Sequence, residues 1–370
     1  MEQRAEDQLQ EALAAYDFGA PLVGAVRFGK GHINDTFCVH TQPPEGECGR
    51  FILQRVSAAA FKRPDQLMAN IAGVTDYLRK VIAAEGGDPD RETLTLLRTR
   101  TGETWYRDSA GRAWRCTPFI EDTVCLQAAE TPELFYASAK AFGSFQRRLK
   151  DYPADTLFET IEKFHDTEDR LSKLKLAARD DVADRLKEVG PEMEFILARA
   201  KDCSVAQEAL RAGKLPLRVT HNDTKLNNVL MDKTSGEGVC VIDLDTVMPG
   251  LSIHDFGDSI RFGANHSAED ERDLSKVNFD LDLFEVYTKG FLEGCAGTMT
   301  PAELEYLPWG AKLMTLECGI RFLTDYLEGD HYFATHRPGQ NLDRCRTQLK
   351  LVADMERAWD GMAAAVRKYS

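Results

Sequence analysis

The residues best equipped for chemistry fall in one short stretch, THNDTKLNNVLMD, residues 220–232. His221, Asp223 and Asn228 meet the pattern H-x-D-x-x-x-x-N, with Lys225 between them and apolar residues on both sides. A loop of that spacing can set one carboxylate against a substrate hydroxyl and one amide on a magnesium ion, a layout for phosphoryl transfer. Lys225 is close enough in sequence to reach a transferred phosphoryl group, where positive charge offsets the charge that develops in the transition state. A strand, a turn at 233–238 (KTSGEG) and a second strand ending in Asp243 follow. That hairpin returns a second carboxylate to the metal, which prefers oxygen ligands and keeps several waters. An Asp–Asn loop is in many proteins only a turn, because both side chains bond nearby backbone. The downstream strand ending in aspartate favours chemistry over the plain turn.

A second string, DFG at Asp255–Gly257, matches a metal-binding signature of protein kinases. Its place in the chain argues against that role. Asp255 follows MPGLSIH, where the chain has turned away, whereas Asp243 ends the strand that pairs back onto the loop. Asp255 is therefore expected to cap a helix over 256–262 or to bond the catalytic loop. Asp245 is a candidate second metal contact.

The elements that must hold these residues read as a strand-rich first third and a helix-rich remainder. Strands are expected at 22–27, 36–40 and 50–56, and a hairpin joins 104–108 to 113–119 across SAGR. Helical spacing marks 64–84, with Leu67, Ile71, Val74, Leu78 and Val81 on one face. Further helices are expected at 132–149, 157–176 and 182–210, then through most of the chain from 282, ending in an amphipathic stretch at 342–366. The chain has 370 residues, 43% of them hydrophobic, enough for two lobes and a large core. Its net charge of -14 speaks against nucleic acid as a partner, although a local cluster of cations and a metal can still hold a nucleotide. Nine cysteines contain no CxxC pair, so neither a zinc site nor a redox dithiol is suggested, and free thiols fit a cytoplasmic location. The first residues, MEQRAEDQLQEALAAY, lack the apolar core of a signal peptide, and no apolar run approaches the ~20 residues of a membrane span. No membrane association and no protein partner are inferred.

Four stretches carry a family resemblance: FGKGHINDTF (28–37), THNDTKLNNVLMD (220–232), VIDLDTVMPGLSIHDFGDSIRFGAN (241–265) and TLECGIRFLTDYLEGDHYF (315–333). Together they resemble the aminoglycoside phosphotransferase and choline kinase superfamily and, more narrowly, the N-acetylhexosamine 1-kinases. The resemblance implies an α+β, two-lobed protein-kinase-like fold. A small strand-rich N-terminal lobe would span 1–120 and a large helical C-terminal lobe 121–370, with ATP and Mg2+ between them. It implies transfer of the γ-phosphoryl group to the anomeric hydroxyl of GlcNAc or GalNAc. It makes Asp223 the base that meets the acceptor, gives Asn228 and Asp243 to the metal, and puts Arg321, His32, Phe262 and Tyr332 at the sugar. Ordinary readings exist for some of these: a surface ion pair for Arg321, a turn residue for His32 and plain core for Phe262. Positions 316, 320, 323 and 327 form an apolar helix stripe, and Arg321 lies beside it.

The nucleotide contacts are less fully written in the chain. FGKGHIND offers Gly29 and Gly31, whose turn lets backbone amides approach phosphates, but it lacks the full GxGxxG spacing. No GxxxxGK[ST] string is present, which argues against a P-loop kinase. Where related kinases carry a third-strand lysine or arginine, RFILQRV has Gln54, with Arg55 next to it. Neighbouring strand residues face opposite sides, so only one of the two can meet the nucleotide. The adenine is expected against backbone at 118–121, near Phe119 and Ile120. Two alternatives remain open: a related kinase acting on an aminoglycoside or amino alcohol, which the acidic charge balance would suit, and a nucleotide-binding pseudokinase, which the intact Asp223, Asn228 and Asp243 oppose.

Overall fold

Alternation along the first strands divides a sheet into two unlike faces. The computed structural model describes residues 2–29, 34–44 and 48–370. Helix α1 (Glu2–Ala15) precedes β1 (Leu22–Arg27), β2 (Asp35–Thr41) and β3 (Gly49–Arg55). After α2 (Pro64–Ala84) and the short α3 (Pro89–Glu92), β4 (Tyr106–Arg107) and β5 (Ala113–Pro118) complete an antiparallel sheet of order β1-β2-β3-β5-β4. One face carries Phe37, Val39, Leu53, Trp114 and Cys116, and Leu9 and Leu13 of α1 and Tyr16 just after it pack over it. The Tyr16 hydroxyl donates to the Trp114 carbonyl at 2.9 Å. The other face is polar at its centre, where register sets Thr36 opposite Gln54 and Gln54 opposite Arg115.

The chain then enters a helical body. Strand β6 (Thr123–Cys125) joins β8 (Val229–Asp232) and β9 (Gly238–Val241) in a second sheet, and β7 (Arg218–Thr220) pairs with β10 (Met248–Gly250). Around them lie α4 (Pro132–Arg148), α5 (Thr167–Asp180), α6 (Gly190–Ala198), α7 (Val205–Arg211), α8 (Ser252–Gly263) and α9 (Leu281–Cys295). Three C-terminal helices follow: α10 (Pro301–Glu328), α11 (Gln340–Arg357) and α12 (Trp359–Tyr369). Helix α4 packs on α9, and α8 on α10. Phe142, Phe256, Phe284, Tyr287 and Phe291 are fully enclosed in the core between them. The result is a mixed α+β fold with a strand-rich N-terminal sheet and a large helical C-terminal part.

Three expected helices are differently cut. The helix expected over 157–176 starts only at Thr167, where the Asp166 side chain accepts from the Asp169 N–H at 3.0 Å. Before it the chain is irregular, fastened where the Phe158 N–H donates to Asn70 Oδ1 at 2.9 Å. The stretch 182–210 breaks into pieces, because Asp181 turns left-handed with φ 37° and Gly190–Pro191 starts a new helix. The final amphipathic stretch divides at Ala358, where Trp359 turns to pack edge-on against Trp309.

Helices α8 and α10 touch backbone to backbone. A Cβ at Gly310 would lie 2.2 Å from the Ile253 carbonyl oxygen, and one at Gly257 would lie 2.1 Å from that of Gly310. Overpacking of this kind costs roughly 1–3 kcal/mol. Gly310→Ala is therefore expected to lower the urea midpoint by a matching amount without changing the slope. An unchanged midpoint would show that the two helices can separate freely.

Candidate active site

The loop 221–228 leaves β7 and is shaped from below by α8. Asp255, in the first turn of α8, accepts from the backbone N–H groups of His221 (2.9 Å) and Asn222 (2.8 Å) and from Gln146 Nε2 (2.6 Å). Asp258, one turn on, accepts from the Thr224 N–H at 3.1 Å. These bonds hold Asn222 in a left-handed conformation, φ 63°. Asp255 thus bonds the loop, and its carboxylate is filled by protein donors. Burial pushes its pKa up, against the pull of His221 and the donors. The His221 ring is enclosed between the edges of Phe142 and Phe145; Nε2–H donates to the Ile242 carbonyl at 2.8 Å, and Nδ1 accepts from the Asp223 N–H at 3.2 Å.

Asp223 Oδ1 lies 3.0 Å from Lys225 Nζ, and Oδ2 accepts from Asn228 Nδ2 at 3.1 Å. Burial alone would lower the Lys225 pKa, but the Asp223 charge overrides it and the net shift is upward. Asn228 Nδ2 also donates to the Asp223 carbonyl at 2.7 Å, which leaves its Oδ1 as the free atom of the amide. Asp243 follows β9 in a left-handed conformation, φ 59°. Among the described residues it has no ion-pair partner. Surrounding protein, then the Asp245 and Asp223 charges, raise its pKa, against Arg115 and His221. Its side chain lies open to water on the floor of the cleft, which tempers that shift. Asp245, expected as a candidate second metal contact, is instead occupied: it is ion-paired with Arg115 and accepts from Asn34 Nδ2 at 2.6 Å. No cluster of three or more His, Cys, Asp or Glu side chains among the described residues could hold a metal alone. That suits magnesium, which takes one or two carboxylates and completes its shell with phosphates and water. Asn228 Oδ1 and Asp243 are the oxygen donors left open here.

On the nucleotide side, Gly29 takes φ 77°, while Gly31 and His32 lie outside the described residues. Gln54 and Arg55 part company as strand alternation requires. Gln54 Nε2 donates to Thr36 Oγ1 at 3.1 Å and its Oε1 accepts from Arg115 Nε at 2.9 Å, on the face that meets Asp245. Arg55 lies on the other face, ion-paired with Asp35 and 5.8 Å from the Trp114 ring centroid, so the expected phosphate contact is not available from it. Phe119 leaves β5 with its N–H on the Arg50 carbonyl (3.0 Å), and its ring meets Phe28 edge-on. Ile120 is buried, and its carbonyl accepts from Thr123 Oγ1 at 2.8 Å.

On the far side, Arg321 is half-buried on α10. Its guanidinium stands 5.6, 5.8 and 5.5 Å from the ring centroids of Phe164, Tyr332 and Phe333. It makes no ion pair among the described residues, so the surface-pair reading does not fit it. One turn earlier Glu317 binds His165 Nδ1 at 3.0 Å and accepts from Thr167 Oγ1 at 2.9 Å, and His165 Nε2 reaches the Asn222 carbonyl at 3.1 Å. Burial resists the Glu317 charge, yet His165, Arg321 and Arg170 hold its pKa down to about 2. For His165 burial pulls down and Glu317 wins, raising it. Helix α10 is thereby joined through two side chains to the residue before Asp223. Leu316, Ile320, Leu323 and Leu327 are fully buried, as the stripe required. Tyr332 is 71% exposed. Phe262 lines a cavity of about 170 Å³ with Thr224, Leu226, Phe135 and Ser259; Arg321 does not line it.

The sequence reading missed Phe164, His165, Arg170 and Glu317: it placed the first three inside a helix over 157–176 and gave the last no role. It also missed Arg115, which it treated as an ordinary strand residue. Arg170 lies beside Arg321; its Nη2 donates to the Phe164 carbonyl at 2.8 Å and its Nε has no partner among the described residues.

Residues 24–285 match the phosphotransferase enzyme family designated APH. The chain belongs to that family. Among solved structures it is similar to an aminoglycoside phosphotransferase from Alicyclobacillus acidocaldarius, with TM-score 0.61 and 16% identity, over 97% of this chain and 95% of that one. A choline/ethanolamine kinase family protein from Mesorhizobium loti gives 0.56 at 20% identity over 98% and 99%. An amicoumacin kinase in complex with AMP-PNP and Ca2+ gives 0.57 at 12% over 95% and 96%. Identities this low speak for the fold alone.

The geometry of this phosphotransferase separates its two candidate metal aspartates. Asp243→Ala is expected to keep its melting temperature and lose metal-dependent nucleotide binding in a calorimetric titration. Asp255→Ala strands two buried N–H groups, at about 1–3 kcal/mol each, and is expected to melt well below the parent protein. Loss of metal binding in Asp255→Ala alone would reverse the assignment.

Proposed function

We propose that this phosphotransferase moves the γ-phosphoryl group of ATP to the anomeric hydroxyl of an N-acetylhexosamine, GlcNAc or GalNAc, releasing ADP and the sugar 1-phosphate. The observation that carries this reading is the setting of Arg321. A half-buried guanidinium with no ion pair among the described residues, set among three aromatic rings on a helix whose Glu317 is tied through His165 to the loop 221–228, suits a neutral sugar. Rings can cover its C–H faces while the planar fork holds its hydroxyls. Arg321, Arg170 and Lys225 would repel a polycation, which weighs against an aminoglycoside despite the overall charge of -14.

Asp223 is the base. The anomeric hydroxyl is more acidic than an ordinary alcohol, so a carboxylate that orients it and takes its proton late is sufficient. Lys225 steadies Asp223 and lies within reach of the moving phosphoryl group. Asn228 and Asp243 would hold Mg2+, which when bound neutralises charge on the nucleotide phosphates. Gly29 and Gly31 would approach those phosphates, with Gln54 behind them and adenine against the backbone at Phe119 and Ile120. His32, Phe262 and Tyr332 would complete the sugar's surroundings. The two lobes would meet near residue 120, where β5 ends. Among the described residues no helix is long and apolar enough to cross a membrane, and the nine cysteines are unpaired.

A coupled ADP-release assay over sugars, aminoglycosides and choline tests the reading, which predicts turnover with N-acetylhexosamines. Arg321→Lys in the same assay should raise the sugar KM about 10- to 100-fold and leave the ATP KM nearly unchanged, as expected for a lost charge-assisted bond. Turnover confined to cationic acceptors, or an unchanged sugar KM in the variant, would remove the hexosamine reading.

A further inference from the structure

Protein kinases set a β3 lysine on the nucleotide phosphates and steady it with a glutamate from the following helix. This chain has neither partner. Gln54 occupies the cleft side of β3, and Arg55 is turned to the other face. Helix α2 brings an amide where a carboxylate would be expected: Asn70 donates to the Val247 carbonyl at 3.0 Å and to that of Phe158 at 2.8 Å. The acidic residues of α2, Asp65 and Asp76, are exposed.

A cation nonetheless stands at that place. Arg115 projects from β5 into the line Thr36–Gln54–Arg115 that register creates across the sheet. It is 5% exposed, with Nε on Gln54 Oε1 at 2.9 Å and Nη1 on Asp245. Nη2 donates to nothing among the described residues. Asp245 is two residues from Asp243 and is held on its other oxygen by Asn34, the residue before β2. Among the described residues the guanidinium is therefore fixed between Gln54 of β3 and Asp245, which is two residues from the open Asp243, with one nitrogen unspent.

We propose that Arg115 is the cation that meets the nucleotide's phosphates, with Asp245 as its fixed counter-charge and Gln54 as its holder. The assignment rests on the reading that the chain binds ATP, but not on the identity of the acceptor. A guanidinium can give a phosphate oxygen directed hydrogen bonds where a lysine gives a point charge. Pairing it with Asp245 would also register the N-terminal sheet against the metal side of the cleft whenever nucleotide is present.

The test is Mg-ATP binding by calorimetry without any acceptor. Arg115→Met combined with Asp245→Asn removes the pair together, so that neither charge is left buried alone. Binding is expected to weaken by about 10-fold or more. Adding Gln54→Lys to that double variant, which restores an ammonium on β3, should recover most of the loss. If the double variant does not fold, Gln54→Leu alone, which frees Arg115 from its holder, should weaken binding about three-fold or more. ATP affinity within two-fold of the parent in the folded double variant, or no recovery with Gln54→Lys, overturns the proposal in favour of a purely structural tie. A failed acceptor assignment looks different: intact ATP binding with no sugar that supports ADP release.

Discussion

Five aspartates are gathered around one short loop, and like charges that close cannot share a protein interior unless each is given its own compensation. The fold gives each a different one. Asp223 has Lys225, Asp245 has Arg115, and Asp258 has Arg261 at 3.0 Å. Asp255 has two backbone N–H groups and an amide. Asp243 alone has no partner among the described residues; it lies open to water, and the surrounding protein and its acidic neighbours raise its pKa. In the proposed reading, a cation brought with the nucleotide would relieve that last charge. The proposed metal site would thus be defined less by a cluster of ligands than by the one carboxylate left uncompensated among the described residues.

This arrangement explains why so much of the helical part is built around α8. That helix supplies Asp255 and Asp258 to the underside of the loop, and its close approach to α10 fixes it against the helix that carries Glu317 and Arg321. The loop backbone, the proposed base and the proposed acceptor side are therefore set by one packed pair of helices. The N-terminal sheet reaches the same centre through Arg115 and Asn34, both meeting Asp245. Chemistry at the cleft then depends on positioning and fixed charge, as phosphoryl transfer requires.

The catalytic loop was legible because polar residues seldom crowd so densely between two apolar runs unless a site needs them. The hairpin ending in Asp243 followed from strand and turn chemistry. Chain position alone separated Asp243 from Asp255, and hydrogen bonds to the His221 and Asn222 backbone bear out a loop-bonding Asp255. Strand alternation said that Gln54 and Arg55 point apart but not which faces the cleft; that depends on where α1 covers the sheet. Arg115 was invisible for the same reason. Phe164 and His165 were read as helix because their spacing is helical, whereas Asp166 caps the helix after them and leaves them free to turn toward Arg321 and Asn222. Gly31 and His32 lie outside the described residues, so the glycine turn rests on sequence alone.

In the proposed division of labour Asp223 serves the acceptor, and Asp243 serves the metal and nucleotide. Steady-state turnover and ATP binding measured side by side in Asp223→Asn test that division most directly. The amide keeps the shape and the bonds to Lys225 and Asn228 in part, but cannot take the acceptor's proton. The expected outcome is that kcat falls by ~10²–10⁴-fold while ATP affinity stays close to that of the parent protein. A variant that keeps more than about a tenth of the parent kcat, or one that loses ATP binding along with turnover, would refute the division.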